Sequence, residues 1–255
     1  MKNKKALLVG LSVTGAIVAL VILFGVLFGV QTAAVFYLKK PQVENPELYV
    51  LPHRLEVPSE LKFAGRKLSF FGYDFEAPWT DVEKKDTRQS FARILFKSGK
   101  AIVVFNPAEG VDLVDEFMEK NPDYADKMVS VFGQETMKSN YSLYKAILNA
   151  TPNELSVFMP KKDVVRLSIL LILKPMLLVN AQSGLYSFEY QDLRGFQFGN
   201  PARTSKVMVH IFDKDDRKLD LLIFAPKDPA TTLSQDEIIH LIQTLRTASL
   251  GQGRS

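Results

Sequence analysis

The chain holds three histidines, His53, His210 and His240, and no cysteine, so metal-ligand and nucleophile chemistry has few residues to draw on. The histidines show neither the H-x-x-x-H spacing that puts two imidazoles on one helix face nor an H-E-x-x-H zinc motif. Absent cysteine removes disulfides, thiolate metal sites, iron–sulfur clusters and thiol nucleophiles together. Two S-x-x-K pairs, Ser59/Lys62 and Ser142/Lys145, have the spacing of a Ser–Lys nucleophile, but about one such pair is expected by chance and neither has the companion motifs of the penicillin-binding families. Asp213, Asp215, Asp216 and Asp220 suggest a calcium loop. Such a loop needs glycine at its sixth position and glutamate at its twelfth, where this chain has Lys218 and Phe224, so a solvated hairpin turn is the expectation. Asn140-Tyr141-Ser142 and Asn149-Ala150-Thr151 match the glycosylation sequon, which matters only in a eukaryotic secretory pathway. No G-x-S-x-G elbow or P-loop occurs, and Gly251 and Gly253 fall in a tail. No catalytic, cofactor-binding or metal residue can be named, and no cofactor is expected.

The informative pattern is apolar. Residues 6–30 run without a charge between Lys2, Lys4 and Lys5 on one side and Lys39 and Lys40 on the other. A bilayer core about 30 Å thick needs about 20 apolar residues in a helix rising about 1.5 Å each, so residues 6–38 are predicted to be a single-pass transmembrane anchor. A cleaved signal peptide is the rival, with Thr32-Ala33-Ala34 as the cut site, but its apolar run is only roughly 7–15 residues. Lipoprotein acylation would need a cysteine. Gly25 and Gly29 form a G-x-x-x-G pattern that lets two helix backbones approach, which makes them the predicted helix–helix contact of a homodimer. Lys2, Lys4, Lys5 and the free amine outnumber Lys39 and Lys40, a bias that places the soluble domain outside the cytoplasm. A cysteine-free chain of this kind fits a bacterial envelope protein more readily than a secreted animal one.

The basic balance belongs to the membrane flanks. The first 40 residues hold five of the 32 Lys and Arg and none of the 28 Asp and Glu, leaving 27 basic against 28 acidic side chains. Such a domain has no excess positive charge with which to neutralise phosphates, so no nucleic-acid partner is expected. The expected partners are the lipid bilayer, through the anchor, and an unidentified membrane or envelope protein.

Behind the short basic N-terminus of residues 1–5 and the anchor, residues 39–60 carry Pro41, Pro46, Pro52 and Pro58 and read as an extended spacer. Residues 61–248 are read as one domain and 249–255 as a flexible tail. Strands are predicted over residues 67–77, with a turn or bulge at Gly72, and over 90–96 and 101–105, joined by a hairpin turn at residues 97–100. Helical spacing follows over residues 112–120, 123–132 and 140–149. Strands return at residues 185–190, 196–198, 207–212 and 219–224, the last two joined by a turn over 213–217. Ser234 and Glu237 form a capping box, flanked by Leu233 and Ile238 as a hydrophobic staple. Ile238, Leu241, Ile242 and Leu245 then make one apolar stripe that should close over a sheet. Strands joined by short turns must be antiparallel, so the predicted class is α+β, an antiparallel sheet with helices packed on it.

Phe70-Phe71-Gly72-Tyr73-Asp74-Phe75-Glu76-Ala77-Pro78-Trp79 and Gly195-Phe196-Gln197-Phe198-Gly199-Asn200-Pro201-Ala202 resemble PsbP/Mog1-like α+β sandwich domains at the level of the fold. The resemblance implies an opening strand running into a Pro/Trp turn, late strands before a closing helix, and a binding or accessory role without catalytic residues. The late strands and closing helix match the end of a pleckstrin-like barrel equally well.

Residues 161–180 admit two readings. Lys161, Lys162 and Arg166 precede Leu167-Ser168-Ile169-Leu170-Leu171-Ile172-Leu173, apolar all round at helical spacing, with Pro175 expected to kink or stop the helix. An all-apolar helix is ordinarily the buried centre of a domain. The functional alternative is a helix lying in the headgroup layer or on a membrane partner, with the three basic residues as its polar contacts. The sequence points to a membrane-anchored, non-catalytic domain that binds a protein or apolar ligand at the envelope. A structural subunit of a membrane complex, or an enzyme with carboxylates scattered over separate elements, are the alternatives.

Overall fold

The computed structural model describes residues 29, 46–60, 63–110, 113–114, 122–156, 158–178, 184–226 and 232–248 of the chain. In chain order the strands are β1 (His53–Arg54), β2 (Arg66–Phe70), β3 (Tyr73–Ala77), β4 (Val82–Thr87), β5 (Phe91–Phe96), β6 (Ala101–Phe105), β7 (Leu185–Tyr190), β8 (Leu193–Phe198), β9 (Lys206–Phe212), β10 (Lys218–Phe224) and β11 (Arg246–Thr247). The helices are α1 (Pro122–Phe132), α2 (Gln134–Met137), α3 (Asn140–Asn149), α4 (Lys161–Leu177) and α5 (Gln235–Thr244). The class is α+β, with an eight-stranded sheet ordered β1-β7-β8-β9-β10-β6-β5-β4 and a three-stranded sheet ordered β11-β3-β2.

Alternation along the strands makes the large sheet two-sided. In β9, Val207, Val209 and Ile211 turn one way, while Met208 and Phe212 turn the other with His210 between them. The first face packs with Leu68, Phe75 and Ala77 of the small sheet and with Ile238, Leu241 and Ile242 of α5. The second face, with Phe196, Phe198 and Phe212, takes Tyr141, Tyr144 and Leu148 of α3. The other side of α3, Leu143 and Ile147, joins Phe132 of α1 and Val164, Leu167, Leu170 and Leu171 of α4 in a separate apolar cluster. The order of layers is therefore α5 with the small sheet, the large sheet, α3, and then α1 with α4 outermost.

Two glycines answer to local geometry. Phe71 and Gly72 have φ of 53° and 81°, the paired positive values of the two-residue turn that reverses β2 into β3. A Cβ on Gly195 would stand 2.2 Å from the His210 carbonyl oxygen, so β8 can lie beside β9 there only without a side chain.

The capping box of α5 is present as predicted. Ser234 Oγ accepts from the Glu237 amide at 3.2 Å, and Glu237 Oε2 accepts from the Ser234 amide at 2.9 Å. Its other oxygen, Oε1, accepts from Lys100 Nζ and Trp79 Nε1, each at 2.7 Å, so the cap also ties the helix to the hairpin turn before β6 and to the turn after β3.

Three features depart from the predicted sheet. It is mixed, not antiparallel, because β1 pairs in parallel with β7. A long connection permits that orientation, whereas the hairpins at residues 97–100 and 213–217 impose the antiparallel one. Strand β4 has the sequence Val-Glu-Lys-Lys-Asp-Thr and shows no apolar alternation, because it is an edge strand whose charges face water. The eight-stranded sheet also ends in two edges, β1 and β4, and so is not the end of a closed barrel. The stretch read as spacer contributes β1 and a 3-10 turn at Pro46–Tyr49, whose Leu48 is buried. The helix expected over residues 112–120 lies, apart from residues 113 and 114, outside the described residues.

Candidate binding surface and polar clusters

The residues singled out at 161, 162 and 166 come together on α4. Pro160 stands at its N-cap, where a missing N–H leaves no helical bond unmade. Val164, Leu167, Leu170, Leu171 and Lys174 face α1 and α3 and are buried. Val165, Ile172 and Met176 recur at intervals of seven and four residues on the opposite side, with Ile172 63% and Met176 69% exposed, while half-buried Ile169 between them packs against the apolar cluster. Phe158, just before the helix, is 76% exposed. Lys161, Lys162 and Arg166 are exposed at the N-terminal end of this stripe, and Arg166 pairs with Asp163 at 3.3 Å. The helix is thus not the buried centre of the domain. Apolar residues all round a helix do not say which side will be covered, and here α1 and α3 cover one side only. Nor does Pro175 stop the helix, which continues to Leu177. A proline in the last turn can be followed by residues whose own N–H groups still reach back, as the Leu178 amide reaches the carbonyls of Lys174 and Pro175.

Sequence reading missed Lys174. It is 0% exposed, and its Nζ donates to the Leu48 carbonyl at 3.1 Å and the Ala150 carbonyl at 2.7 Å. Ala150 is the C-cap of α3, so a cation stands where helix carbonyls run out of N–H partners. Burial pushes the Lys174 pKa down to about 8, against the opposing pull of Glu154. The signal was a lysine inside an apolar helix, four residues after Leu170.

The aspartates at 213, 215 and 216 form a hairpin turn, as predicted, and two of them do structural work. Buried Asp213 accepts from the amides of Asp215 and Arg217 at 2.9 and 3.1 Å, from Arg217 Nε at 2.9 Å, and from the Tyr73 hydroxyl of the small sheet at 3.0 Å. Burial, with Asp213 next in effect, raises the Tyr73 pKa. Asp216 accepts from the Asn140 and Tyr141 amides at the N-terminus of α3 and from Arg194 at 3.2 Å, where a helix dipole favours a carboxylate. Beside this turn lies a cleft of about 420 Å³ whose walls include Phe71, Asn106, Asn140, Asp216, Arg217 and Lys218. Its carboxylates are already engaged by backbone and arginine donors. Among the described residues no group of three or more His, Asp or Glu could hold a metal ion.

The pairing of β9 with β10 sets His210 opposite Asp220. His210 Nδ1 lies 2.6 Å from Asp220 Oδ1, Lys218 Nζ lies 3.1 Å from Asp220 Oδ2, and Lys218 Nζ donates to the Tyr144 hydroxyl at 3.2 Å. Burial works to raise the Asp220 pKa, but His210 and Lys218 together outweigh it and hold the carboxyl at about 2. A carboxylate-oriented imidazole is acid–base equipment. Here its ring stands edge-on to Phe198 and Tyr144, with centroids 4.9 and 5.8 Å away, and of the four residues only Lys218 lines the cleft.

The remaining candidates have local roles. His53 is exposed on β1, while His240 is buried on α5. Ser142 Oγ bonds Ser139 Oγ at 2.9 Å in the cap of α3, and Lys145 lies 3.9 Å from Glu189 of β7, so the two side chains of this S-x-x-K pair have separate partners. Ser59 is exposed and Lys62 lies outside the described residues. Asn140 is buried and its side-chain oxygen accepts from the Val114 amide at 3.2 Å, which closes that sequon to a glycan; Asn149 is exposed. Gly25 lies outside the described residues; Gly29 is helical, with open space where a Cβ would stand. The span expected over residues 6–30 otherwise lies outside them too, and among the described residues no helix is long and apolar enough to cross a membrane. Comparison with protein-family models, with curated proteins and with solved structures finds no match to this chain.

Proposed function

We propose that the chain is a single-pass membrane-anchored, non-catalytic binding domain, held at the cell membrane through residues 6–38 with its folded part outside the cytoplasm. Its recognition surface is the outer side of α4, and the matching chemistry is an apolar layer with an anionic rim. One observation carries this reading: three apolar residues at helical spacing, Val165, Ile172 and Met176, face water, with Lys161, Lys162 and Arg166 at their end. Covering a Val, Ile or Met side chain is worth about 1.5–3 kcal/mol each, so an uncovered row of them is a surface prepared for contact. A relation to PsbP/Mog1-like domains, with the binding or accessory role it implies, belongs to this proposal.

The test uses the full-length chain. It should stay with carbonate-washed membranes; a soluble product beginning near Ala34 or Val35 would reject the anchor. Ile172→Asp should leave the thermal melt of the detergent-solubilised protein unchanged, since the side chain already meets water. A large drop in the melt would show this side of α4 to be packed within the protein and reject it as the recognition surface.

A further inference from the structure

We propose that the outer side of α4 rests on the anionic headgroup and upper acyl layer of the same bilayer that holds the anchor, so that the domain lies against the membrane instead of standing off on a spacer. This rests on the anchored reading above and names the partner of that same surface.

The path of the chain supports it. The 3-10 turn at Pro46–Tyr49 packs against α4, where Leu48 is buried and its carbonyl accepts from Lys174 Nζ at 3.1 Å. Only residues 39–45 separate that turn from the predicted end of the anchor. Seven residues span at most about 25 Å when fully extended. α4 can therefore stand no farther from the bilayer than that leash allows.

Charge and shape choose lipid over protein. Arg166 and the two lysines lie at one end of the stripe, the only carboxylate of α4 is Asp163, and Lys174 is turned inward. An apolar helix face with basic residues at its margin is the pattern of a helix lying in the headgroup layer, with long cationic side chains reaching the phosphates. The stripe from Val165 to Met176 is about 16 Å long and one helix about 10 Å wide. That footprint is well below the roughly 800 Å² that each partner of a stable protein complex buries. A bilayer sets no such minimum, because the anchor already supplies a high local concentration.

The cysteine-free chain makes the experiment clean. Full-length Ile172→Cys, labelled with an environment-sensitive dye at its sole thiol, is reconstituted into vesicles of phosphatidylcholine alone or mixed with phosphatidylglycerol, with or without brominated acyl chains. Lys84→Cys, exposed on the edge strand β4, is the reference. The expected result is a blue-shifted dye at position 172 that brominated lipid quenches several-fold more than the dye at position 84, and more strongly with phosphatidylglycerol present. Replacing Lys161, Lys162 and Arg166 together by Gln should weaken docking on the phosphatidylglycerol vesicles on the order of 100-fold, each cation contributing about fivefold. Chain retained by the vesicles with the dye at position 172 fully in water overturns the docking and leaves the anchor standing. Protection that ignores brominated lipid and rises with protein density shows a second copy covering α4 and also overturns it. Chain that washes off the vesicles overturns both readings.

Discussion

His240 is 0% exposed, stands edge-on to Phe63 at 5.5 Å, and lies against Gly65, where a Cβ would approach Nε2 to 2.8 Å. Among the described residues neither ring nitrogen has a hydrogen-bond partner. Burial lowers its pKa below the ordinary 6.5, against the opposing effect of Glu76. As pH falls through 6.5 the unfolded chain takes up a proton that the folded one refuses, so stability is lost on acidification, by up to about 1.4 kcal/mol per pH unit. His240→Leu should remove that part of the acid sensitivity, which melts of both proteins between pH 7.5 and 5 would reveal; equal pH slopes would refute it. Lys174 works at the alkaline end. With its folded pKa near 8 and its ordinary value 10.5, the unfolded chain holds the extra proton between those limits. Stability should therefore rise as pH climbs from about 8 to about 10.5, by up to about 3 kcal/mol. The rise is read as the difference between the parent and Lys174→Met, since other lysines and tyrosines titrate alike in both. A parent that gains nothing over the variant in this window would mean that Lys174 is solvated.

The two sides of α4 make opposite predictions for the same chemistry. Leu170 is buried with Leu143, Ile147 and Phe132, and an unpaired carboxylate there costs several kcal/mol, a large part of the roughly 5–15 kcal/mol that hold a domain together. Leu170→Asp should lower the melt steeply or abolish folding, whereas Ile172→Asp, two residues on, should not. Circular dichroism melts of the two variants side by side check the contrast, and equal losses would contradict the orientation of the helix. Element boundaries were readable where spacing carries them. The hairpin at residues 97–100, helix α3, and the capping box of α5 follow from turn residues and apolar repeats within a few positions of each other. β4 was not readable, because an edge strand is stabilised by a neighbour's backbone and needs no apolar side chain of its own.

The layers interlock through contacts between distant segments. Asp213 joins the β9–β10 turn to Tyr73, Asp216 joins it to α3 and Arg194, and Glu237 joins α5 to Lys100 and Trp79. Breaking one layer leaves buried donors or carboxylates unpaired in the next, each worth about 1–3 kcal/mol. The domain is therefore expected to unfold in one transition and to leave a single resistant core on limited proteolysis. Two stable fragments divided between α3 and α4 would contradict that.

Local spacing alone was enough for the charge-free run of residues 6–30, most strands, the 213–217 turn, and the grouping of Lys161, Lys162 and Arg166, because each depends on neighbours a few residues apart. Long-range pairing decided the rest. The parallel partner of β1, the meeting of His210 with Asp220, the lodging of Asp216 on α3, and the turning of Ile172 and Met176 outward while Lys174 turns in all depend on register and on which side of an element another layer covers. A sequence periodicity states that a face exists; only the packed neighbours determine whether that face meets core or water.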